Sequence, residues 1–394
     1  MRLTIHFMII LWLVGWSTSH TKAQNNTVKG NNQFAVELFK KLTKEKSTNF
    51  FMSPYSISSA LAMVYAGADG NTAEEMTKVL HFVPKTVHQD FKKLTTSFDA
   101  LNKLGVKLKV ANALWVAKNT KLLSDYTQKM NKYYQAKATN LDFAKQAEQS
   151  RMIINQWVED KTNHKIKHLL PKGFIDGNTS LVLTNAVYLK AEWMHKFNKK
   201  ETKEMTFYAR EQQFPNIPFM HLEQTFHYFE TQQMQIIDIP YKNYKMSMLI
   251  LLPKDKNHLP EVIRWFDAET INGLEYEMTP AKVKLALPRF KMTIRTSLKK
   301  PLKQLGLQSI FQQADFNKMS NSPVGDLSEV IHKAFIDVNE TGTEAAAATA
   351  GSITRSGETP KIFKADHPFL FVIRDVDSGS ILFIGKLESP ITKK

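Results

Sequence analysis

The residue types that catalyse reactions are present, but they form no recognised enzyme motif. The chain has no cysteine and no G-x-S-x-G, H-E-x-x-H, Walker A or G-x-G-x-x-G pattern. Its 12 histidines are scattered without metal-ligand spacing. Ser56, His332 and Asp337 could be drawn as a hydrolase triad, but a chain of this length offers such a trio by chance. We therefore expect a protein that is not an enzyme, with a hydrolase as the alternative.

A run of small residues, Gly342 to Gly351, is the most unusual segment. It follows a strand-like run, Val330 to Val338, and precedes a polar stretch, Ser352 to Thr359. So short a run without a packing face is marginal as a helix in water, so the simplest interpretation is a surface loop. Small side chains without proline can also enter a packed sheet, with Thr343 on one face and Glu344 on the other. The composition suits a loop that can become a strand.

The first residues, 1–23, resemble a secretory signal peptide. Arg2 is followed by an apolar run, Phe7 to Val14, and then by small residues. A membrane anchor is the alternative, but the run is far shorter than the roughly twenty residues that a span needs. Cleavage after Ser19 or after Ala23 fits the small-residue rule. We expect the mature chain to be secreted, without a membrane span.

The chain has no cysteine and therefore no disulfide framework, and with 394 residues it can bury a large core without one. One further feature suits an exported chain. Three N-glycosylation sequons begin at Asn25, Asn178 and Asn339. Sequons also occur by chance, so they are candidates for glycosylation.

The chain is strongly basic, since 53 basic and 37 acidic residues give a net charge of +16. Five lysines lie on or just after one predicted helix: Lys92, Lys93, Lys103, Lys107 and Lys109. A solvated helix face is the simpler interpretation, and a polyanion-binding site is the alternative. For a secreted chain, we expect such a polyanion to be a heparin-like glycosaminoglycan rather than nucleic acid.

Hydrophobic periodicity predicts helices early in the chain and strands later. Helical patterns cover Asn32 to Lys46, the segment from Ser53-Pro54 to Gly67, a segment that starts at a Thr72/Glu75 capping box, Phe91 to Leu101, and Ile153 to Val158. Strand patterns cover 108–116, 181–189, 330–338, a hairpin of 236–240 with 246–252, and a hairpin of 369–373 with 381–384. This order indicates an α+β fold in a single domain, 24–394.

Several motifs, in their order along the chain, resemble the serpin family from about Asn31 to Pro390. They are Asn49-Phe50-Phe51-Met52-Ser53-Pro54-Tyr55-Ser56-Ile57, Gly67 to Thr72, Ile154 to Val158 with Lys165-Ile166 and Leu169-Leu170-Pro171, Thr184 to Lys190 with Trp193, Leu287-Pro288-Arg289-Phe290-Lys291, Glu340 to Ala350, and Asp366 to Phe371. The resemblance implies three β-sheets, about nine helices and an exposed reactive-centre loop at about 340–362.

The resemblance also implies a mechanism. Inhibitory serpins are suicide substrates: a serine protease attacks the loop and forms an acyl-enzyme, and the loop then inserts into the central sheet and carries the protease with it. About fourteen inserted residues at ~3.3 Å each would move the protease by about 45 Å.

The family's functional residues can be carried over one at a time. The inhibitory hinge corresponds to Glu340, Gly342, Thr343, Glu344, Ala345, Ala346, Ala347 and Ala348. The polar cluster beneath the opening strands corresponds to Ser53, Ser56, Asn185 and His332, for which ordinary buried polar residues are the alternative. Trp193 corresponds to the residue at the sheet end where insertion begins.

The bond that the protease cleaves has two candidates. The family's spacing from Glu340 indicates Ser356-Gly357, whereas side-chain chemistry favours Arg355-Ser356, because an arginine fits a trypsin-like specificity pocket. We favour Arg355-Ser356. With Ser356 before the bond, the target would be an elastase-like or chymotrypsin-like protease.

Taken together, the sequence predicts a secreted, monomeric inhibitor of a trypsin-like serine protease that needs no metal or other cofactor, with a heparin-like polyanion as a candidate ligand. The alternative within the family is a non-inhibitory carrier or chaperone. Bulky or charged hinge residues would favour that alternative, and Thr343 to Ala348 contain one charged residue and no bulky one.

Overall fold

A computed structural model describes residues 25–44, 47–102, 105–343 and 359–390. Several predictions fall outside these described residues. They concern the signal peptide, Lys103, the hinge residues Glu344 to Ala348 and the bond Arg355-Ser356.

The described residues contain nine α-helices, in agreement with the prediction of about nine. They are α1 (Asn26–Thr43), α2 (Pro54–Tyr65), α3 (Gly70–Val79), α4 (Val87–Leu101), α5 (Ser124–Tyr134), α6 (Phe143–Lys161), α7 (Leu259–Trp265), α8 (Ala268–Glu277) and α9 (Lys299–Gln304).

Fifteen strands are found in the same ranges. They are β1 (Phe50–Met52), β2 (Lys107–Ala117), β3 (Ala138–Leu141), β4 (Leu181–Glu192), β5 (Lys203–Tyr208), β6 (Gln213–Glu230), β7 (Met234–Pro240), β8 (Met246–Pro253), β9 (Thr279–Pro288), β10 (Phe290–Ser297), β11 (Leu327–Asn339), β12 (Gly342–Thr343), β13 (Lys361–Lys364), β14 (Phe369–Asp375) and β15 (Ile381–Leu387).

The strands form two hydrogen-bonded sheets where we expected three. A six-stranded sheet has the order β10-β11-β12-β4-β2-β3. A nine-stranded sheet has the order β1-β15-β14-β8-β7-β6-β9-β13, with β5 also paired to β6. The long strand β6 pairs with β5 along its first half and with β7 near its end, so hydrogen bonding joins two of the expected sheets into one. Both predicted hairpins, β7-β8 and β14-β15, are present.

The six-stranded sheet is covered on both faces. On one face, α2 packs its apolar side, including Ile57 and Leu61, into the main core. On the other face, α6 covers part of the sheet, and Trp157 meets Trp115 of β2 edge to face with 5.5 Å between ring centroids. Because strand side chains alternate, β2, β4 and β11 contribute to both cores, which explains the nearly continuous apolar run in β4.

The start of α2 follows its sequence pattern, and the start of α3 does not. The Ser53 side chain caps α2 by accepting a hydrogen bond from the Ser56 amide. The predicted Thr72/Glu75 capping box is absent. Thr72 instead accepts from the Asp315 amide, and the Glu75 carboxylate accepts from the Ser309 amide. Tertiary donors have taken both side chains, and α3 begins two residues before Thr72, at Gly70.

Candidate functional site

A row of polar side chains crosses the middle of the six-stranded sheet. Asn112 of β2 lies opposite Asn185 of β4, which lies opposite His332 of β11. The Asn185 side chain bonds Asn112, His332 and the Ser56 hydroxyl. The Ser53 amide donates to His332 Nε2 at 3.2 Å. We call these five residues the shutter cluster; the sequence predicted four of them.

The hydrogen bonds of the shutter cluster fix the state of His332. Because Nε2 accepts from the Ser53 amide, Nδ1 must carry the proton and donate it to Asn185 Oδ1. His332 is fully buried, and burial lowers the pKa of its imidazole to about 3. The ring is therefore neutral at physiological pH. A second ring proton, on Nε2, would point at the Ser53 N–H, which is a donor and cannot accept it.

The same geometry excludes the hydrolase triad. His332 bonds Asn185 and the Ser53 backbone, while Asp337 lies 3.8 Å from Lys291. His332 and Asp337 are five residues apart on β11, so their side chains point to opposite faces of the sheet. The trio has no common site.

The beginning of the hinge already lies within the sheet. Gly342 and Thr343 form β12, which pairs antiparallel with β11 on one side and with β4 on the other. Gly342 has a φ of +152°, and a Cβ there would lie 2.1 Å from the Ala191 carbonyl oxygen. Only glycine fits this turn. Residues 340–343, which we expected within the loop, therefore belong to the sheet and its adjoining turn, and β13 starts at Lys361.

The Thr343 side chain is held by a stack of two aromatic rings. Its hydroxyl lies 2.7 Å from the hydroxyl of Tyr241, and both residues are fully buried. Tyr241 stacks on Trp193, with 4.5 Å between ring centroids and 11° between ring planes. Trp193 Nε1 donates to the Asn339 carbonyl oxygen at 2.9 Å. We call Trp193, Tyr241 and Thr343 the breach cluster.

An ion pair between a buried carboxylate and a partly exposed arginine anchors the base of the hinge. Glu340 is 2% exposed, and its carboxylate accepts hydrogen bonds from the Arg289 guanidinium and the Thr202 hydroxyl. Burial raises the pKa of Glu340, but these hydrogen bonds and the charge of Arg289 outweigh it, so the pKa lies below its usual value. The Phe197 amide also donates to the Glu340 carbonyl oxygen at 2.9 Å. The strand end is thereby fixed where the chain turns.

The four described lysines of the predicted polyanion site do not share one surface. Lys92 and Lys93 are exposed on α4, whose buried residues pack into the main core. Leu108 of β2 lies in the main core. Lys107 and Lys109 alternate with it, so they point to the sheet face away from that core. The sequence grouped them because they are close along the chain, but the turn into β2 separates them.

The three sequon asparagines lie in different surroundings. Asn178 is exposed in a turn, where its amide donates to the Asp176 carboxylate. Asn25 caps α1 by accepting from the Thr27 amide. Asn339 is half-buried at the end of β11, and its Oδ1 accepts from the Thr341 amide. Each remains a candidate for glycosylation.

Four residues of the site were not predicted from sequence: Asn112, Thr202, Tyr241 and Arg289. Asn112 is the polar residue in the alternating pattern of β2, and Arg289 belongs to one of the motifs that carried the resemblance. Both could have been found from these signals. Tyr241 and Thr202 carry no local signal.

Comparison with known proteins decides the family. The family model described as "Serpin (serine protease inhibitor)" matches residues 29–390. This chain belongs to the serpin family. Human Serpin B3 is 40% identical over 391 residues, which is 93% of this chain and all of that protein. The leukocyte elastase inhibitor of Xenopus laevis is 38% identical over 367 residues, which is 91% of this chain and 97% of that protein.

Solved serpin structures share the fold. Human thyroxine-binding globulin in complex with its hormone matches with a TM-score of 0.85 and 26% identity, over 93% of this chain and 99% of that chain. The serpin fold thus occurs both in proteins named as protease inhibitors and in one named for a small ligand.

Proposed function

We propose that this serpin is a secreted suicide-substrate inhibitor of a trypsin-like serine protease. The observation that carries the proposal is the position of Gly342 and Thr343 as a short strand between β11 and β4. A cleaved loop can extend this strand by adding hydrogen bonds to the two strands that flank it. Apart from Glu344, the hinge residues that follow are alanines, and small side chains suit insertion between packed strands.

Insertion requires β11 and β4 to separate, and the shutter cluster lies on their boundary. The two strands pair directly from Leu327 to Phe335, and within this stretch His332 bonds Asn185. This bond must break as the inserted strand advances. Because His332 and Asn185 are buried, they need new partners on the inserted strand or its neighbours. The cluster is therefore suited to resist opening until the loop has been cut.

Secretion and the target protease rest on sequence alone. The leader, 1–23, supports export, and Arg355 supports a trypsin-like target. None of the helices in the described part of the chain is long and apolar enough to cross a membrane. Expression with the native leader tests export: the secreted chain should begin at His20 or Gln24.

The decisive experiment is incubation with trypsin, thrombin, elastase and chymotrypsin, followed by denaturing gels. An inhibitor of the proposed kind gives a complex that survives denaturation, at about one inhibitor per protease, with trypsin or thrombin. Loop cleavage without any complex would favour the carrier alternative, for which thyroxine-binding globulin provides a relative. A complex with elastase or chymotrypsin alone would favour Ser356 before the cleaved bond.

A further inference from the structure

Two pairs of like charges lie directly opposite each other on one face of the six-stranded sheet. Lys107 of β2 faces Lys190 of β4, and Lys333 of β11 faces Arg295 of β10. All four share the face that α6 covers in part, because strand side chains alternate. Like charges directly opposite destabilise a sheet, and natural sequences accept such conflicts mainly at functional sites.

The two pairs belong to one larger basic surface. Between them lie Tyr188 and Phe335, with 6.1 Å between ring centroids. The ammonium groups of Lys165 and Lys291 lie 5.8 Å and 5.3 Å from the centroid of the Phe335 ring. We call this surface the sheet patch: Lys107, Lys109, Lys165, Lys190, Lys291, Arg295 and Lys333.

Nearby carboxylates offset the charge of the sheet patch only in part. Asp337 lies 3.8 Å from Lys291, a member of the patch, and Glu159 lies 3.1 Å from Lys167, which is outside the patch. The Lys333 ammonium group donates to the Lys167 carbonyl oxygen at 2.6 Å. Burial, and then the charge of Arg295, lowers the pKa of Lys333. The seven cations of the sheet patch outnumber these two carboxylates, so the surface carries a net positive charge.

We infer that the sheet patch binds a linear sulfated polysaccharide. Its charges come from four adjacent strands, about 14 Å across at ~4.8 Å per strand, and from the loop after α6. An extended chain with an anionic group on each successive sugar can contact several of these cations at once, whereas a compact anion would contact two. The predicted leader places such a ligand outside the cell.

Heparin is the probe, and two double variants with equal net charge make the test. Lys107→Gln with Lys190→Gln removes two charges from the sheet patch, and Lys92→Gln with Lys93→Gln removes two exposed charges from α4. Heparin affinity is measured at several salt concentrations, without any protease. We expect the sheet variant to lose affinity on the order of tenfold and to lower the salt slope by about 1 to 2, because fewer counterions are released. The α4 variant should bind like the wild type.

Three outcomes would overturn the inference: equal losses in both variants, a loss in the α4 variant alone, or elution of the wild type below physiological salt. Duplex DNA that binds as tightly as heparin, with the same loss in the sheet variant, would overturn the assignment to a polysaccharide. Should the first sheet variant unfold early, Lys109→Gln with Arg295→Gln tests the same surface. The same loss of affinity is expected from it, and unchanged affinity would count against the site.

Discussion

The hydroxyl of Thr343 lies 2.7 Å from the hydroxyl of Tyr241, 102 residues away in the chain. Through this contact the first core-facing residue of the hinge is already bonded inside the sheet that it is proposed to enter. Tyr241 is in turn stacked on Trp193, so the hinge start is packed as well as hydrogen-bonded. Insertion would therefore extend an existing strand and would not have to begin a new one.

Tyr241→Phe should weaken this anchorage without changing its shape. The change removes one hydroxyl and leaves the buried Thr343 hydroxyl without this partner, which costs about 1 to 2 kcal/mol of unfolding free energy. Urea unfolding followed by tryptophan fluorescence measures the loss. Tyr244→Phe is the matched control, because Tyr244 is 55% exposed. Equal stability of the Tyr241 variant and the wild type would mean that the contact does not hold the hinge.

Thr343→Arg should convert the inhibitor into a substrate. The Thr343 side chain points into the buried breach cluster, where an unpaired charge costs several kcal/mol. Insertion would slow, and the acyl-enzyme would hydrolyse first. On denaturing gels, cleaved serpin should replace the protease complex, while Thr343→Ser should retain the complex. A Thr343→Arg chain that inhibits like the wild type would show that insertion does not pass through this position.

Arg355→Ala should reduce the rate of trypsin inhibition by tenfold or more. The expectation comes from the fit of an arginine to a specificity pocket that contains an aspartate. Mass spectrometry of the C-terminal peptide released by the protease locates the bond independently. A peptide that begins at Ser356 agrees with our choice, and one that begins at Gly357 contradicts it.

Local sequence patterns predicted the elements but not the contacts that hold the hinge. The start of α2 could be predicted because Ser53 and Pro54 act within one turn, and β4 because its apolar run is contiguous. The Thr72/Glu75 pair shows the limit: a correct local pattern lost its side chains to donors more than 200 residues away. The residues that surround Thr72 and Glu75 in the sequence do not indicate such distant partners.

The same limit applies to the prediction of the site residues. Ser53, Ser56, Asn185 and His332 could be grouped only because they match a known family, since their distances along the chain are large. The five lysines of the predicted polyanion site were wrongly grouped, because their proximity in sequence does not show to which face of the sheet the lysines of β2 point. The pairing of Lys107 with Lys190 depends on the register of β2 with β4, which only the structure supplies.

Stability should fall as the pH drops below about 6.5. Burial lowers the pKa of His332 to about 3, and burial, together with Lys129, lowers that of His88 to about 4. In this window the unfolded chain binds protons that the folded chain does not, so acid favours unfolding. From pH 7 to pH 5, His332 alone should contribute a loss of about 2 kcal/mol.

Urea titrations at both pH values, with His332→Gln and with the exposed His227→Gln as control, measure the contribution of His332. The His332 variant should lose less stability between pH 7 and pH 5 than the wild type, whatever its stability at pH 7. The control should show the pH dependence of the wild type. Identical pH dependence in all three chains would mean that His332 takes up its proton in the folded state.

Loop insertion should weaken heparin binding, if both the proposed mechanism and the sheet patch hold. The inserted strand would separate Lys190 from Lys333 by one further strand spacing, ~4.8 Å. Thr343 lies opposite Ala191, so in continued register Glu344 would lie opposite Lys190 and bring a carboxylate into the sheet patch. Loop-cleaved protein should therefore bind heparin more weakly than intact protein, and Glu344→Gln should recover part of the loss in the cleaved form only. Equal affinity of the intact and cleaved forms, with the sheet variant still impaired, would show that bound polysaccharide does not sense insertion.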